Sequence, residues 1–420
     1  MRQLITRFTL PNGLRVVHYH DRRTAMAAVD VMYDVGARDE KRSLTGVAHL
    51  FEHLMFGGSE NEPRFDVAIE RAGGVNNAWT GSDFTNFFEL LPAQNIEAAL
   101  RAESDRMLAL NFDPHVLQVQ RSVVVEEFKQ TVLNRPYGRV MHHLRSMLYH
   151  PSHPYSWPVI GLEPEHIMRV TDDDVRSWFY AHYAPNNAVL AVAGNVEPER
   201  LRELVEKWFG DIPRREIAPR VMPPQVWALD AAGVRRDVTD RVPSPLVMLA
   251  WPMAAFGQPG YTEADIITDL LGAGRAARLH RNVSGLYPDI VAEADASIIG
   301  SEHEGLLMID ARLVDDSPGS IDTACRLLLD QARALAEPGN VEPHELERAL
   351  RRFEARDAAT FMSPMAMAQR LAAAEMHGED LQAELDRRRA VGLDDIARTA
   401  RSIFMESPMA TLVVHPEAQQ

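Results

Sequence analysis

The sequence has a single cysteine, Cys325, among its 420 residues. One thiol excludes an internal disulfide framework, and it excludes zinc sites built from two or four cysteines. Any bound zinc would have to be held by histidine and carboxylate side chains.

Long apolar runs and basic charge are also scarce. The longest apolar stretches, such as residues 246–256, fall well short of the ~18 residues that a membrane-spanning helix needs. The 44 basic and 60 acidic residues give a net charge of −16 at pH 7. This balance argues against nucleic acid and anionic membrane surfaces as partners.

The remaining composition is that of an ordinary globular protein, with 46% hydrophobic and 25% charged residues. A chain of this length exceeds the size at which one core stops growing, so we expect two domains of roughly 200 residues each. The first residues show no apolar segment followed by a small-residue cleavage site, and we therefore expect a cytoplasmic protein.

One short stretch, Gly46–Gly58, places two imidazoles and a carboxylate at helical spacing. His49, Glu52 and His53 stand at i, i+3 and i+4, so a helix would bring them to one face. Two neutral imidazoles one turn apart can bind one Zn²⁺, and a carboxylate between them could accept a proton from water. The same five residues would also fit two surface histidines and a salt-bridging glutamate.

The ends of this helix can be predicted from the neighbouring residues. Ser43 or Thr45 can cap its first turn through a hydroxyl oxygen. Gly57 and Gly58 can end it, because glycine adopts the left-handed conformation at little cost.

A candidate third ligand lies on a second helical segment, residues 114–134. Its predicted buried stripe consists of Val116, Gln120, Val123, Val124, Glu127 and Thr131. Glu127 interrupts this largely apolar stripe, whereas Glu126 lies off it. Burying a carboxylate is unfavourable without a partner, and a metal ion would be a suitable one.

These two motifs resemble the inverzincins, in particular the pitrilysin or insulinase-like metallopeptidases of family M16. The resemblance implies that His49, His53 and Glu127 hold one Zn²⁺ per chain, with Glu126 as the alternative third ligand. It also implies that Glu52 is the general base in hydrolysis of an internal peptide bond.

Two further features follow from the resemblance in the first half of the chain. Gln120 stands seven positions before Glu127, where the family often has an acidic residue that hydrogen-bonds to the site. The residues Asn76, Asn77 and Ala78 resemble the strand whose backbone pairs with an extended substrate, which requires an exposed sheet edge. A turn-rich hairpin without a role in binding is the alternative.

The second half of the chain repeats the first. Leu50–Gly58 is echoed by residues 266–274, and residues 188–194 are echoed by residues 409–415. We therefore predict an α+β protein of two homologous domains, residues 1–215 and 216–420, each a mostly antiparallel sheet packed against helices.

The second copy lacks the metal ligands. Asp265, Thr268 and Asp269 fall opposite His49, Glu52 and His53, so this copy cannot hold zinc by the same residues. The resemblance implies that it closes a chamber and contacts the substrate.

Two residues of the second half are candidates for that contact. Arg278, in a glycine-rich Arg-Leu segment, resembles a donor to a substrate carbonyl, and a helix-end salt bridge is its alternative role. The tyrosine that accompanies this arginine in the family is missing, so either Tyr287 or another subunit would supply it.

The resemblance also bears on assembly. The chain is half as long as the four-domain members of the family, so an active particle is expected to be a homodimer or a heterodimer with a second M16-type subunit. The alternatives are a processing-peptidase-like subunit and a noncatalytic assembly subunit with the same fold.

Overall fold

The structure, a computed structural model, describes residues 5–417 and contains two β-sheets with helices packed against them. The strands are β1 (Ile5–Thr9), β2 (Arg15–His20), β3 (Met26–Tyr33), β4 (Val75–Thr80), β5 (Thr85–Pro92), β6 (Ala188–Gly194), β7 (Val234–Asp240), β8 (Leu246–Met253), β9 (Val291–Ile299), β10 (Gly305–Leu313) and β11 (Ala410–Pro416). The first strand was expected to begin at Gln3, which lies outside the described residues.

The helices fall between these strands in two similar series. They are α1 (Val47–Met55), α2 (Phe65–Arg71), α3 (Ile96–Leu108), α4 (Pro114–Phe128), α5 (Val140–Leu148), α6 (Pro164–Arg169), α7 (Asp172–His182), α8 (Pro198–Phe209), α9 (Tyr261–Gly272), α10 (Pro318–Ala334), α11 (Pro343–Thr360), α12 (Pro364–Met376), α13 (Ala383–Ala390) and α14 (Leu393–Arg401). Within residues 5–417, none of these helices combines the length and apolarity needed to cross a membrane.

The two sheets share one topology. The first has the order β1-β2-β6-β3-β5-β4, and the second has the order β7-β11-β8-β10-β9. Strands β2 and β6 are parallel, as are β7 and β11, while the other pairs are antiparallel. Apart from the additional β1, each strand of the first sheet therefore has a counterpart, which confirms the predicted α+β duplication.

The chain forms two compact units that exchange segments. Over the described residues, unit 1 comprises residues 5–128, Trp157–Met222 and Arg356–Ala383. Unit 2 comprises Lys129–Ser156, Pro223–Ala355 and residues 384–417. The predicted bounds 1–215 and 216–420 separate the sequence repeats and stay a prediction, because the compact units are not contiguous in sequence.

One helix from each repeat makes the exchange. In unit 1, Ala368 and Leu371 of α12 pack with Ala28 of β3 and Ala191 of β6. In unit 2, α5 packs in the same cluster as strands β8 and β11. Helix α5 is the third helix after β5, and α12 is the third helix after the equivalent strand β10, so the two helices correspond to each other in the repeats. Each sheet is covered on one face by a helix from the other half of the sequence.

The opposite face of the first sheet supports α1. Val29 of β3, Phe51 of α1, Leu100 of α3 and Val124 of α4 are fully buried in one apolar cluster. This packing fixes α1 and α4 on the same sheet, and the candidate site lies where these two helices meet.

Candidate metal centre and catalytic residues

The start of α1 is built around a glycine and a buried carboxylate. Gly46 has φ 87°, a conformation that favours glycine, and a Cβ added there would lie 2.5 Å from the end of the Ile167 side chain, which would have to shift. The Glu40 carboxylate accepts hydrogen bonds from the backbone N–H groups of Gly46 (3.0 Å) and Ala48 (2.8 Å). Glu40 thereby satisfies N–H groups that have no partner within the helix.

Burial raises the pKa of Glu40 to about 8, although the hydrogen bonds from Ala48 and Gly46 act in the opposite direction. The prediction that Ser43 or Thr45 caps the helix is wrong. The Thr45 hydroxyl instead accepts a hydrogen bond from the backbone N–H of Leu162 (2.8 Å) and contacts the ring of His166 (2.8 Å).

Two imidazoles and one carboxylate converge between α1 and α4. The Nε2 atoms of His49 and His53 lie 3.8 Å and 3.5 Å from Oε2 of Glu127. The two rings are 4.9 Å apart and nearly perpendicular, with an interplanar angle of 83°. Their potential ligand atoms all lie within 4.8 Å of one another. Within residues 5–417, no other group of three or more such residues meets this distance.

This donor set fits Zn²⁺. Burial, assisted by the neighbouring His53, lowers the pKa of His49 to about 4, so its imidazole is neutral at pH 7 and has a lone pair to offer. Two neutral imidazoles and a carboxylate are a known ligand set for catalytic zinc, which keeps a fourth position open. All three side chains are half-buried, so the group that would hold the ion is partly exposed to solvent.

Glu127 is held at the end of α4 by buried neighbours. The buried residues of this helix are Leu117, Val124, Val125 and Phe128, whereas Val123, predicted to be on the buried stripe, is 44% exposed. Glu126 is exposed, and Glu127 faces the histidines. The predicted helix does not continue regularly to residue 134, because Lys129–Leu133 forms a π-helix directly after the ligand segment.

Glu52 lies on the same helix and contacts the neighbouring strand. The hydroxyl of Thr80 donates a hydrogen bond of 2.5 Å to Oε2 of Glu52. Burial raises the pKa of Glu52, while the hydrogen bond from Thr80 and the proximity of His53 partly offset this effect. The sequence interpretation missed Thr80, although the two-residue period of a strand places it on the same face as Asn76 and Ala78.

The strand that contains Asn76, Asn77 and Ala78 is β4, at the edge of the first sheet. It pairs with β5 alone among the described strands, so its other side has no strand beside it. Asn76, Ala78 and Thr80 are half-buried, whereas Asn77 is exposed on the opposite face. The side chain of Asn76 donates a hydrogen bond to Asp66 (3.0 Å), and the Asn77 side-chain oxygen accepts one from the backbone N–H of Ala78 (2.8 Å).

Gln120, the neutral residue seven positions before Glu127, is half-buried on α4. Two helical turns separate these residues, so their side chains are on the same side of the helix. Gln120 therefore lies on the side of α4 that carries Glu127, where the resemblance places a residue that supports the ligands.

The two candidates of the second half have different environments in unit 2. Arg278 is only 5% exposed. Its Nε and Nη2 atoms donate to the Glu345 carboxylate (3.0 and 2.6 Å), and Nη2 also donates to the carbonyl of Asn340 (2.7 Å). These contacts match the salt-bridge alternative, while Tyr287 is 39% exposed.

Comparison with known proteins supports the family resemblance. Residues 15–154 match the family described as Insulinase (Peptidase family M16), and residues 169–353 match the one described as Peptidase M16 inactive domain. The chain is 27% identical over 423 residues to the zinc protease PqqE of Helicobacter pylori, with coverage of 97% of this chain and 92% of that protein. It is also 27% identical over 256 residues to the β subunit of the mitochondrial-processing peptidase of Saccharomyces cerevisiae, covering 60% of this chain and 54% of that subunit.

A solved structure shows the same fold over almost the whole chain. The crystal structure of a protease from Helicobacter pylori superposes with a TM-score of 0.87 and 25% identity, covering 98% of this chain and 99% of that one. The matching family models, the duplicated sheet and the converging His49, His53 and Glu127 agree with one another. The chain belongs to the M16 family of peptidases.

Proposed function

We propose that the chain is a zinc-dependent endopeptidase that hydrolyses internal bonds of peptides or unfolded segments. The observation that carries this proposal is the convergence of His49, His53 and Glu127, with the carboxylate of Glu52 on the same helix face. The three converging residues would hold one Zn²⁺. When bound, the zinc would polarise the scissile carbonyl and make a water molecule more acidic.

Glu52 is assigned to proton transfer. As the water oxygen bonds to the carbonyl carbon, a carboxylate oxygen of Glu52 takes the proton of that water. As the C–N bond breaks, Glu52 gives the proton to the leaving nitrogen. Burial raises the pKa of Glu52, which makes its carboxylate a stronger base.

The substrate is proposed to bind as an added strand on β4. The edge of β4 at Asn76, Asn77 and Ala78 has no strand beside it among the described strands. Its backbone groups would pair with an extended chain once the Asn77 side chain releases the Ala78 N–H. Thr80, at the end of the same strand, contacts Glu52. A peptide paired with β4 would therefore lie beside the base, and a segment must be extended to bind in this way.

The second half of the sequence is proposed to contribute differently through its two candidate residues. The buried ion pair with Glu345 supports a role of Arg278 in the stability of unit 2. The exposure of Tyr287 supports it as the residue available for a substrate contact.

The active particle is proposed to contain two M16-type chains, either identical or different. The similarity to a protein named as a processing-peptidase subunit supports a heteromeric complex as the alternative to a homodimer. A noncatalytic assembly subunit is the third candidate, and it predicts that the chain does not cleave peptides.

The test combines metal analysis with peptide cleavage by the purified chain. The wild-type protein should contain or take up about one Zn²⁺ per chain. Glu52→Gln should keep the zinc and lose cleavage by at least ~10²-fold. The matched control is Glu126→Gln, because Glu126 is exposed on α4, and it should change neither property.

Three results would contradict the proposal. Absence of zinc uptake would remove the metal centre, and loss of zinc in Glu52→Gln would mean that the ligand set is wrong. Zinc uptake without cleavage, alone or with a second M16-type chain, would favour the noncatalytic alternative.

A further inference from the structure

Thr80 makes a hydrogen bond that the metal ligands do not explain. Its Oγ1 lies 2.5 Å from Oε2 of Glu52. Within residues 5–417, the side chain of Glu52 accepts this hydrogen bond through Oε2. The other carboxylate oxygen, Oε1, has no hydrogen-bond partner among these residues. A hydrogen bond from a neutral hydroxyl to a carboxylate is short and directional.

The position of Thr80 is fixed by its strand and by the turn that follows. Thr80 is in register with Thr85 of β5. The turn between them is held by the backbone N–H groups of Ala37 and Arg38, which donate to the carbonyls of Gly81 (3.1 Å) and Ser82 (2.8 Å). The end of β4 is thus attached to the segment that precedes α1.

The same segment also holds the start of α1. Arg38 is buried and donates to Asp83 in the turn (2.8 Å). Two residues later, Glu40 accepts the N–H groups of Gly46 and Ala48 at the first turn of the helix. Helix α1 and strand β4 are therefore tied together at two places, through Glu40 and through the bond between Thr80 and Glu52.

Building on the proposed function, we propose that Thr80 is a positioning residue for Glu52. Its hydroxyl holds Oε2 and leaves Oε1 as the oxygen that exchanges the proton. Because Thr80 belongs to the strand proposed to pair with the substrate, the bond sets the base at a fixed distance from the backbone of the bound peptide. Without the hydroxyl, the side chain of Glu52 would be free to adopt other rotamers.

The kinetic test compares two substitutions at position 80. Thr80→Val replaces the hydroxyl by a methyl group of similar size and should lower kcat roughly 10- to 100-fold, because a misplaced catalytic group reacts more slowly. KM and zinc content should stay unchanged. Thr80→Ser keeps the hydroxyl and should recover most of kcat.

Thr85→Val is the matched control, because it removes a hydroxyl from the paired residue of β5. The Thr85 hydroxyl donates to the carbonyl of Val35 (2.9 Å) and not to Glu52. This variant should lower the melting temperature and leave kcat unchanged. A kcat for Thr80→Val within about twofold of wild type, or equal losses in Thr80→Val and Thr80→Ser, would overturn the proposal.

A double-mutant cycle tests whether Thr80 acts through Glu52. Glu52→Asp shortens the side chain, so its carboxylate no longer reaches the hydroxyl. Adding Thr80→Val to Glu52→Asp should therefore cost little more. Fully additive losses would overturn the proposal.

A structural measurement separates this proposal from the proposed function. Crystal structures of metal-free wild type and Thr80→Val should show Glu52 in one conformer in the first and in several, or displaced, in the second. An unchanged Glu52 conformer in Thr80→Val overturns the role of Thr80, whether or not the wild-type chain cleaves peptides. Failure of the proposed function would instead appear as absent zinc uptake or cleavage in wild type.

Discussion

Helices α1 and α9 occupy the same place in the two sheets and carry different chemistry. Helix α1 lies between β3 and β4 in the chain, and α9 lies between the equivalent strands β8 and β9. Both begin after a glycine with positive φ, 87° at Gly46 and 94° at Gly260. In the alignment that pairs His49 with Asp265, α9 begins two residues earlier than α1. The repeat therefore keeps a helix at this place in the sheet, while its exact start and the residues on its face differ.

On α9, the residues aligned with His49 and Glu52 make contacts with other residues of unit 2. The carboxylate of Asp265 pairs with the buried Arg388, and the hydroxyl of Thr268 donates to the carbonyl of Asp265 (2.8 Å). On α1, by contrast, His49 and His53 face a third potential ligand. The fold therefore provides a helix in a fixed position, and the side chains on it, together with Glu127 on α4, decide whether that position can bind a metal.

Replacing the two histidines of α1 by the aspartates found at the aligned positions of α9 should have the largest effect on zinc binding and cleavage. The double variant His49→Asp/His53→Asp removes both imidazole ligands and places two additional carboxylates near Glu127. Zinc affinity should fall by more than ~100-fold, and peptide cleavage by at least ~10³-fold, about 4 kcal/mol in the barrier. Competition with a chelator and steady-state kinetics measure the two effects.

The control for this variant is His115→Asp, because His115 is an exposed histidine on α4. It should leave zinc affinity and cleavage unchanged. Retention of zinc by the double variant would show that the ligands lie elsewhere.

Breaking the ion pair between Arg278 and Glu345 tests whether Arg278 stabilises unit 2. Arg278→Met leaves the Glu345 carboxylate buried without its charged partner, so the free energy of unfolding should fall by about 3 kcal/mol. Zinc content should not change. Denaturant titration of both proteins provides the measurement.

Arg281→Met is the matched control, since Arg281 is exposed and its Nη2 lies 3.9 Å from the same carboxylate. This substitution should lower the free energy of unfolding by less than ~1 kcal/mol. Full stability combined with impaired substrate binding in Arg278→Met would return Arg278 to the carbonyl-binding role expected from the sequence.

The pH dependence of this ion pair gives a smaller effect of defined sign. Burial alone would raise the pKa of Glu345, but hydrogen bonds from Arg278 and the backbone N–H of Glu342 outweigh it, so the pKa is below the usual 4.5. A carboxylate with a lowered pKa stabilises the fold above its unfolded pKa, and this stabilisation is lost as the pH falls through the folded value.

The difference in free energy of unfolding between wild type and Glu345→Gln should therefore be complete at pH 7 and shrink below pH 4.5. Denaturant titrations on both sides of this range measure it. A difference that stays constant, or that grows as the pH falls, would mean that Arg278 does not hold Glu345 ionised.

The smallest effect is expected from Gln120→Glu, which restores the acidic residue that the family often has at this position. An added carboxylate near the ligands should tighten zinc binding by less than ~10-fold. Gln118→Glu makes the same charge change at an exposed position of α4 and should have no effect. Equal affinities in all three proteins would show that position 120 does not influence the metal.

Local spacing was sufficient to predict α1 and the convergence on its face. The i, i+3, i+4 pattern specifies which side chains share a helix face, and the structure shows His49 and His53 together opposite Glu127. The turn-rich stretch around residues 73–83 likewise indicated the hairpin that contains β4. These features depend on neighbours in the sequence, and a pattern can detect them.

Contacts between distant residues were not predictable in this way. The cap of α1 comes from Glu40 and not from an adjacent hydroxyl, because a buried carboxylate reaches two N–H groups at once. The partner of Arg278 lies 67 residues away at Glu345. The π-helix at Lys129–Leu133 widens α4 locally, which a 3.6-residue period does not reveal.

The exchange of α5 and α12 between the two halves is the feature that sequence patterns were least able to predict. Nothing in the local sequence of either helix indicates which sheet it covers. The duplication could be predicted because the two halves resemble each other, and the bounds 1–215 and 216–420 stay a prediction. The compact units could not be predicted, because their membership depends on packing.

The central claim is that only the N-terminal repeat forms a metal site, and a zinc titration tests it most directly. Metal-free protein titrated with Zn²⁺ in a calorimeter should bind one ion per chain with high affinity, and His49→Asp/His53→Asp should bind none at that affinity. Two equivalent sites, or one site that survives in the double variant, would contradict the account.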